Sequence, residues 1–159
     1  INFLFDLIRK SLKKNIKKII KQGIKINVIG SNKWLPADIK RTIKYIERKT
    51  IENKTITLNL ALNYGSKEEI INALKNLVRK KNKEINIRNF EEELYTKNIP
   101  DPEVLIRTGG TKRLSNFLLW QLAYTEIFFI NKLWPDFNEN DFNDIVKKFY
   151  KIKRNFGKI

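Results

Sequence analysis

Arginine, glycine and serine residues cluster in a short segment that follows an apolar run. Arg107 and Arg113 supply two guanidinium groups, and Ser115 supplies a hydroxyl. The Gly109-Gly110 pair permits backbone conformations in which N–H groups turn toward an anion. Two forked cations, a hydroxyl and the start of a following helix suit a diphosphate better than a carboxylate or a base edge. A glycine turn with surface arginines is the alternative, and the spacing alone leaves both interpretations open.

One glutamate, Glu126, stands in an otherwise apolar run between Tyr124 and Ile130. A carboxylate at a buried strand start costs free energy unless it is paired or bound to a metal. Mg²⁺ is a suitable partner, because it binds one or two carboxylates together with phosphate oxygens. An ion pair with an arginine is the competing interpretation.

The elements that must position these residues alternate between strands and helices. Period-two patterns and apolar runs predict strands over residues 24–29, 55–62 and 103–107 and in the run that contains Glu126. Apolar stripes and caps predict helices over residues 3–22, from Pro36, from a capping box at Ser66 and Glu69, after an Asn89 cap, after Ser115 or Asn116, and through Phe142 to Ile152. This order predicts an α/β domain around a mostly parallel sheet with flanking helices.

The net charge of +16 raises the possibility of a nucleic-acid surface. However, the chain also holds 24 Ile and 19 Asn, so its bias toward Lys, Asn and Ile is general. Lysines on solvated helix faces then require no ligand. Composition therefore favours the interpretation without nucleic acid.

Three absences concern location. No apolar run reaches the roughly 18 to 20 residues of a membrane span, and the first residues do not resemble a signal peptide. The chain also has no Cys, hence no disulfide framework. We therefore expect a cytoplasmic protein.

The chain has no Met, and it opens inside an apolar-periodic segment with no strand before it. We therefore expect residues 1–159 to form a single domain that is the C-terminal portion of a larger one. In that interpretation the opening strands of the sheet are missing from this chain.

Three motifs in the second half of the chain carry a family resemblance. Residues 106–121 read IRTGGTKRLSNFLLWQ, residues 123–126 read AYTE, and residues 133–137 read LWPDF. Together they resemble the C-terminal signature of the cis-prenyltransferases, the undecaprenyl diphosphate synthases. Asn63-Tyr64-Gly65 resembles another motif of that family, and the similarity spans essentially all 159 residues.

The resemblance implies a homodimeric α/β enzyme, a polyprenyl diphosphate synthase. Such an enzyme uses Mg²⁺ to add isopentenyl diphosphate units to an allylic diphosphate such as farnesyl diphosphate. In a bacterium the product would be the undecaprenyl carrier for cell-wall synthesis. The lipid product implies peripheral association with the inner face of the membrane, and nothing in the resemblance calls for nucleic acid.

Carried over to matching positions, the resemblance assigns roles to five residues. It implies that Arg107, Arg113 and Ser115 bind the diphosphate of isopentenyl diphosphate, with the backbone near Leu114 assisting. It also implies that Glu126 ligates Mg²⁺.

Some parts of the family pattern are absent. The Asp-Gly-Asn-Gly-Arg-Trp loop, which holds the allylic diphosphate and the catalytic aspartate, has no counterpart, so we expect the catalytic residues upstream of Ile1 and an inactive isolated chain. Thr111 replaces the usual glutamate, and Asn155 replaces the arginine of the Arg-x-Gly motif. A non-catalytic partner subunit of the same fold is the alternative that these departures support. A basic nucleic-acid-binding domain is supported only by charge.

Overall fold

The computed structural model describes residues 2–80 and 84–155, in which helices alternate with parallel strands and confirm the predicted α/β class. The elements are α1 (Asn2–Lys21), β1 (Ile24–Ile29), α2 (Ala37–Thr50), β2 (Ile56–Ala61), α3 (Ser66–Arg79), α4 (Ile87–Glu91), β3 (Val104–Arg107), β4 (Glu126–Phe129), a 3₁₀ turn (Trp134–Asp136) and α5 (Glu139–Phe149). They divide into two compact units, Ile1–Gly65 and Ser66–Ile159. The assignment of residues 1–159 to a single domain stays a prediction.

In the first unit, β1 and β2 pair in parallel, with Ile24 opposite Ile56 at one end. Helix α2 covers part of this sheet, because Ile39 and Ile43 are buried with Leu35 against two partly buried residues, Val28 and Leu62. Helix α1 ends as predicted at Gly23, whose φ of 68° is left-handed.

In the second unit, β3 and β4 pair in parallel from Val104 opposite Glu126 to Arg107 opposite Phe129. A core of this unit forms between α3, α4 and the segment that follows α4, where four side chains are buried: Ala73, Leu77, Phe90 and Leu94. None of the helices in the described ranges has the length and apolar character to cross a bilayer.

Two predicted helix starts are wrong. Residues 115–124, all of which are described, form turns instead of a helix. The N-cap of α4 is Asn86, whose Oδ1 accepts from the N–H of Asn89 at 2.9 Å, so Asn89 lies inside the helix instead of capping it.

Candidate functional site

Arg107 is the last residue of β3 and is partly buried. Its Nε and Nη2 atoms donate hydrogen bonds to Oγ1 of Thr111 at 3.3 and 3.0 Å. The hydroxyl therefore fixes the guanidinium beside the loop that follows the strand. Sequence reasoning noted Thr111 only as a departure from the family pattern and missed this contact.

The N–H groups of the two glycines do not face an open anion site, which was one of the two interpretations that the sequence left open. The N–H of Gly109 donates to the carbonyl oxygen of Lys132 at 2.8 Å, and the N–H of Gly110 donates to that of Ile130 at 3.0 Å. Both glycines have left-handed φ values, 89° and 72°. They continue the pairing beyond β3 and β4, so their donors are already used.

Ser115 lies at the tip of a tight turn. The N–H of Phe117 donates to the carbonyl oxygen of Leu114 at 3.1 Å and closes the turn. The two central residues, Ser115 and Asn116, have φ values of 50° and 63°. Left-handed φ at both central positions is the pattern of a type I′ turn, which Asn tolerates well and Ser less well. The predicted helix N-terminus at this position is therefore absent, and a mirror-image turn presents the exposed serine.

The first turn of α3 anchors this loop through Asn116. The N–H groups of Ser66 and Lys67 donate to the carbonyl oxygen and to Oδ1 of Asn116, at 2.8 and 2.9 Å. In return, Nδ2 of Asn116 donates to Oε2 of Glu68 at 3.1 Å. The Glu68 backbone N–H, and then the Asn116 amide, hold the pKa of the Glu68 carboxyl below its usual value. Asn116 thus satisfies donors that a helix N-terminus leaves unpaired.

Ser66 and Glu69, predicted as a capping box, also hold the loop. Ser66 Oγ accepts from the N–H of Leu119 at 2.9 Å. The Glu69 carboxylate accepts from the N–H of Tyr95 at 2.8 Å and from Nε2 of Gln121 at 3.2 Å. Both Ser66 and Glu69 are fully buried. Their partners lie some 26 to 53 residues further along the chain, so no local pattern in the sequence could have identified them.

Arg107 and Leu114 line one groove of about 240 Å³, together with four neighbours: Leu105, Ile106, Thr108 and Phe117. Arg113 is exposed and makes no hydrogen bond or ion pair with another residue of the described ranges. The structure therefore brings together the Arg107 side chain and the backbone near Leu114, and leaves the Arg113 guanidinium available to solvent.

Glu126 lies at the other end of the sheet from Arg107. The strands are parallel and Glu126 pairs with Val104, so three residue steps, roughly 10 Å, separate its backbone from the Arg107 end. Oε1 of Glu126 is 3.9 Å from Nε of Arg154. Arg154 also donates to Oε1 of Glu103 at 2.8 Å and to the Tyr124 carbonyl oxygen at 3.0 Å.

The surroundings of Glu126 allow a limited test of the implied Mg²⁺. Its side chain is 32% exposed, and its contact with Arg154 is longer than a hydrogen bond, so the carboxylate keeps capacity for a ligand. Among residues 2–80 and 84–155, no group of three or more acidic, His or Cys side chains could hold a metal. Glu126 therefore fits Mg²⁺ only as a single donor, with phosphate oxygens and water completing the coordination.

Glu126 shares a second groove, of about 300 Å³, with residues near the C-terminus that include Lys153, Arg154 and Asn155. Sequence reasoning considered an arginine as a partner for Glu126 but did not single out Arg154. The structure shows that Arg154, next to the unusual Asn155, is this partner.

Comparison with known proteins supports one family throughout. A family model described as "Putative undecaprenyl diphosphate synthase" matches residues 1–157. An isoprenyl transferase of Prochlorococcus marinus is 45% identical over 165 aligned positions, which cover 100% of this chain and 61% of the relative. A (2E,6E)-farnesyl-diphosphate-specific ditrans,polycis-undecaprenyl-diphosphate synthase of Pasteurella multocida is 40% identical. The alignment covers 99% of this chain and 68% of the relative.

The crystal structure of lavandulyl diphosphate synthase from Lavandula x intermedia, in complex with dimethylallyl diphosphate, has a TM-score of 0.92 to this chain. It is 35% identical and covers 99% of this chain and 71% of that one. The chain thus spans about two thirds of the length of these relatives. With a family model over nearly every residue and relatives of 35 to 45% identity, the chain belongs to the undecaprenyl diphosphate synthase family of cis-prenyltransferases.

Proposed function

We propose that the protein condenses isopentenyl diphosphate with an allylic diphosphate, such as farnesyl diphosphate, to lengthen a cis-polyprenyl chain. One observation carries the proposal: Leu114 lines the same groove as Arg107, and its two chain neighbours, Arg113 and Ser115, are both exposed. The names of the relatives support it, because they include a farnesyl-diphosphate-specific synthase and a synthase crystallised with dimethylallyl diphosphate.

In this proposal Arg107 and Arg113 bind the diphosphate of isopentenyl diphosphate. Guanidinium groups offer paired donors to phosphate oxygens, and Ser115 and the backbone near Leu114 add further hydrogen bonds. The apolar members of the groove, Leu105 and Phe117 among them, suit the isoprenyl part of the substrate. The loop would therefore hold one reactant in place while the allylic diphosphate leaves, and positioning would supply much of the rate enhancement.

Glu126 would contribute the carboxylate ligand to Mg²⁺, whose chemistry is to offset phosphate charge. The resemblance assigns the catalytic aspartate and the allylic diphosphate to a loop that these 159 residues do not contain. The chain would accordingly supply the isopentenyl diphosphate half of the site.

The cellular setting is part of the same proposal. We expect a cytoplasmic homodimer at the inner face of the membrane, where a long polyprenyl product for cell-wall synthesis would partition. Exposed apolar side chains in the second unit, at Ile127, Phe129 and Trp134, are compatible with burial against a second copy. Analytical ultracentrifugation of the complete protein would test the dimer.

The proposal is tested by assaying the complete protein for Mg²⁺-dependent transfer of isopentenyl diphosphate into lipid. Arg113→Ala removes a charged donor, and hydrogen bonds to charged groups contribute about 1.5 to 3 kcal/mol, so KM for isopentenyl diphosphate should rise roughly tenfold to a hundredfold. Arg79→Ala, which removes the same charge from an exposed position on α3, is the matched control. Unchanged kinetics in Arg113→Ala and Arg107→Ala would contradict the site assignment.

A non-catalytic partner subunit is the second candidate, favoured by the uncharged Asn155 beside Glu126 and Arg154. Assays of the complete protein, alone and co-expressed with a catalytic chain, distinguish the two candidates. If the complete protein is inactive alone but raises the activity of a co-expressed catalytic chain, the partner role is correct. Activity of the protein by itself would exclude that role.

A further inference from the structure

The loop that follows Leu114 is held in an unfavourable backbone conformation. Three of its four residues from 115 to 118, namely Ser115, Asn116 and Leu118, have left-handed φ values of 50°, 63° and 45°, and none is glycine. Such conformations persist only where surrounding contacts determine them, and they concentrate at functional sites. The contacts that impose this conformation therefore decide where the exposed Ser115 hydroxyl lies.

Asn116 makes most of those contacts. Its carbonyl oxygen and Oδ1 accept from the N–H groups of Ser66 and Lys67, and its Nδ2 donates to Glu68. It is also the residue type that best tolerates a left-handed φ after glycine. Two N–H groups at the start of α3 are consequently used by Asn116 and are not available to an anion.

We infer that Asn116 is a positioning residue that sets the affinity for the diphosphate group through its contacts with the first turn of α3. It does not touch the substrate. By fixing one central position of the turn, it fixes the adjacent Ser115 and the direction of the backbone near Leu114. The inference rests on the proposed function, since it assumes that Arg113 and Ser115 bind a diphosphate.

A reciprocal exchange of side chains tests the inference. Asn116→Asp keeps an acceptor for the Lys67 N–H and tolerates the left-handed φ, but it places a second carboxylate against Glu68. In the double variant Asn116→Asp with Glu68→Gln, the amide of residue 68 donates to the carboxylate of residue 116, so the bond is restored in the opposite direction.

The measurements use the complete protein, with inorganic pyrophosphate as the binding probe in calorimetry and isopentenyl diphosphate in steady-state kinetics. We expect Asn116→Ala and Asn116→Asp to weaken pyrophosphate binding about tenfold and to raise KM by a similar factor. We expect kcat to stay within about threefold. The double variant should return both affinities to within about threefold of wild type, which a general loss of stability would not do.

Two further variants keep the test decisive. Asn116→Gly accepts the left-handed φ but loses the side-chain bonds, so it should resemble Asn116→Ala if the bonds matter and should remain measurable if the alanine variant does not fold. Asn143→Ala, an exposed asparagine on α5, should bind like wild type. Circular dichroism at the assay temperature would confirm that every compared variant is folded.

The outcomes separate this inference from the proposed function. If wild type binds neither pyrophosphate nor isopentenyl diphosphate, the proposed function fails and the inference fails with it. If Arg113→Ala weakens binding while Asn116→Asp and Asn116→Gly bind like wild type, the function stands and the positioning role is overturned. Failure of the double variant to improve on Asn116→Asp would also overturn it.

Discussion

Replacing Glu69 with alanine should destabilise the protein strongly, because this buried carboxylate accepts hydrogen bonds from two parts of the second unit. Its side chain is 1% exposed, and it accepts from the Tyr95 N–H at 2.8 Å and from Gln121 Nε2 at 3.2 Å. Hydrogen bonds to charged groups contribute about 1.5 to 3 kcal/mol each, and the longer one belongs at the low end. We therefore expect Glu69→Ala to lower the free energy of unfolding by about 3 to 4 kcal/mol.

The isosteric variant Glu69→Gln should cost much less, about 1 kcal/mol. Its carbonyl oxygen can still accept from the Tyr95 N–H. Its new amide donor has a ready acceptor, since Oε1 of Gln121 is buried and has no hydrogen-bond partner. A rotation of the Gln121 amide would pair the two side chains, but it would break the hydrogen bond that Gln121 Nε2 now donates to Oγ1 of Thr96 at 2.8 Å, and this loss is the reason for the expected cost.

Thermal and urea unfolding of the complete protein, followed by circular dichroism, measures both effects. A change of about 3 kcal/mol corresponds to a lowering of Tm by roughly 6 to 12 °C for a chain of this size. Lys75→Ala, on the exposed face of the same helix, is the control and should change stability by less than about 0.5 kcal/mol. The reasoning is refuted if Glu69→Ala is as stable as this control, or if Glu69→Gln is as unstable as Glu69→Ala.

Two further predictions concern the start of α5 and a glycine in the first unit. Asp141 accepts from Nζ of Lys132 at 2.7 Å, and this bond is the main cause that lowers the pKa of the Asp141 carboxyl below its usual value. The ionised Asp141 carboxylate therefore stabilises the protein above about pH 4, and this stabilisation is lost as the pH falls through the lowered pKa. The Tm should consequently fall more steeply in acid for wild type than for Asp141→Asn. Gly30 has a φ of 124°, and a Cβ there would overlap the carbonyl oxygen of Leu62, so Gly30→Ala should cost more than about 2 kcal/mol in urea unfolding. Gly109→Ala, whose Cβ would meet no atom within 4 Å, should cost only about 1 to 2 kcal/mol and serves as its control.

The regular elements were predictable because their signals are local. The apolar stripe of α1, the alternation of β2 and the short apolar run of β3 each follow the period of the element they form. The structure confirms these elements within two residues at most ends. The α/β fold class could be predicted from the order of these elements alone.

The loop from Ser115 to Gln121 was not predictable in the same way. Its run of Phe, Leu and Trp resembles a short helix, but Asn116 and Leu119 hydrogen-bond to the start of α3. Those contacts join residues about fifty positions apart, and they outweigh the local preference of the segment. A buried Ser66 and Glu69 were visible in the sequence only as helix-capping residues.

The separation of Arg107 and Glu126 could have been inferred from the sequence. The first was recognised as the end of a strand and the second as the start of one, in a sheet predicted to be parallel. In a parallel pair these positions fall at opposite ends of the strands, as the register of β3 and β4 shows. The segment between the strands must therefore return along the sheet, and Arg113 and Ser115 lie in this connection.

Two roles are open to Glu126, as a ligand of Mg²⁺ or as the ion-pair partner of Arg154. If Glu126 ligates a Mg²⁺ ion that also binds a diphosphate, Mg²⁺ should strengthen the binding of pyrophosphate to wild type. The factor by which Mg²⁺ strengthens this binding should be about tenfold smaller in Glu126→Gln. The variant keeps the shape of the side chain, and Glu103→Gln, which removes the other carboxylate near Arg154, is the matched control. If Glu126→Gln and Glu103→Gln leave the Mg²⁺ dependence equally unchanged, Glu126 serves only to hold Arg154. The metal site would then need carboxylates other than this one.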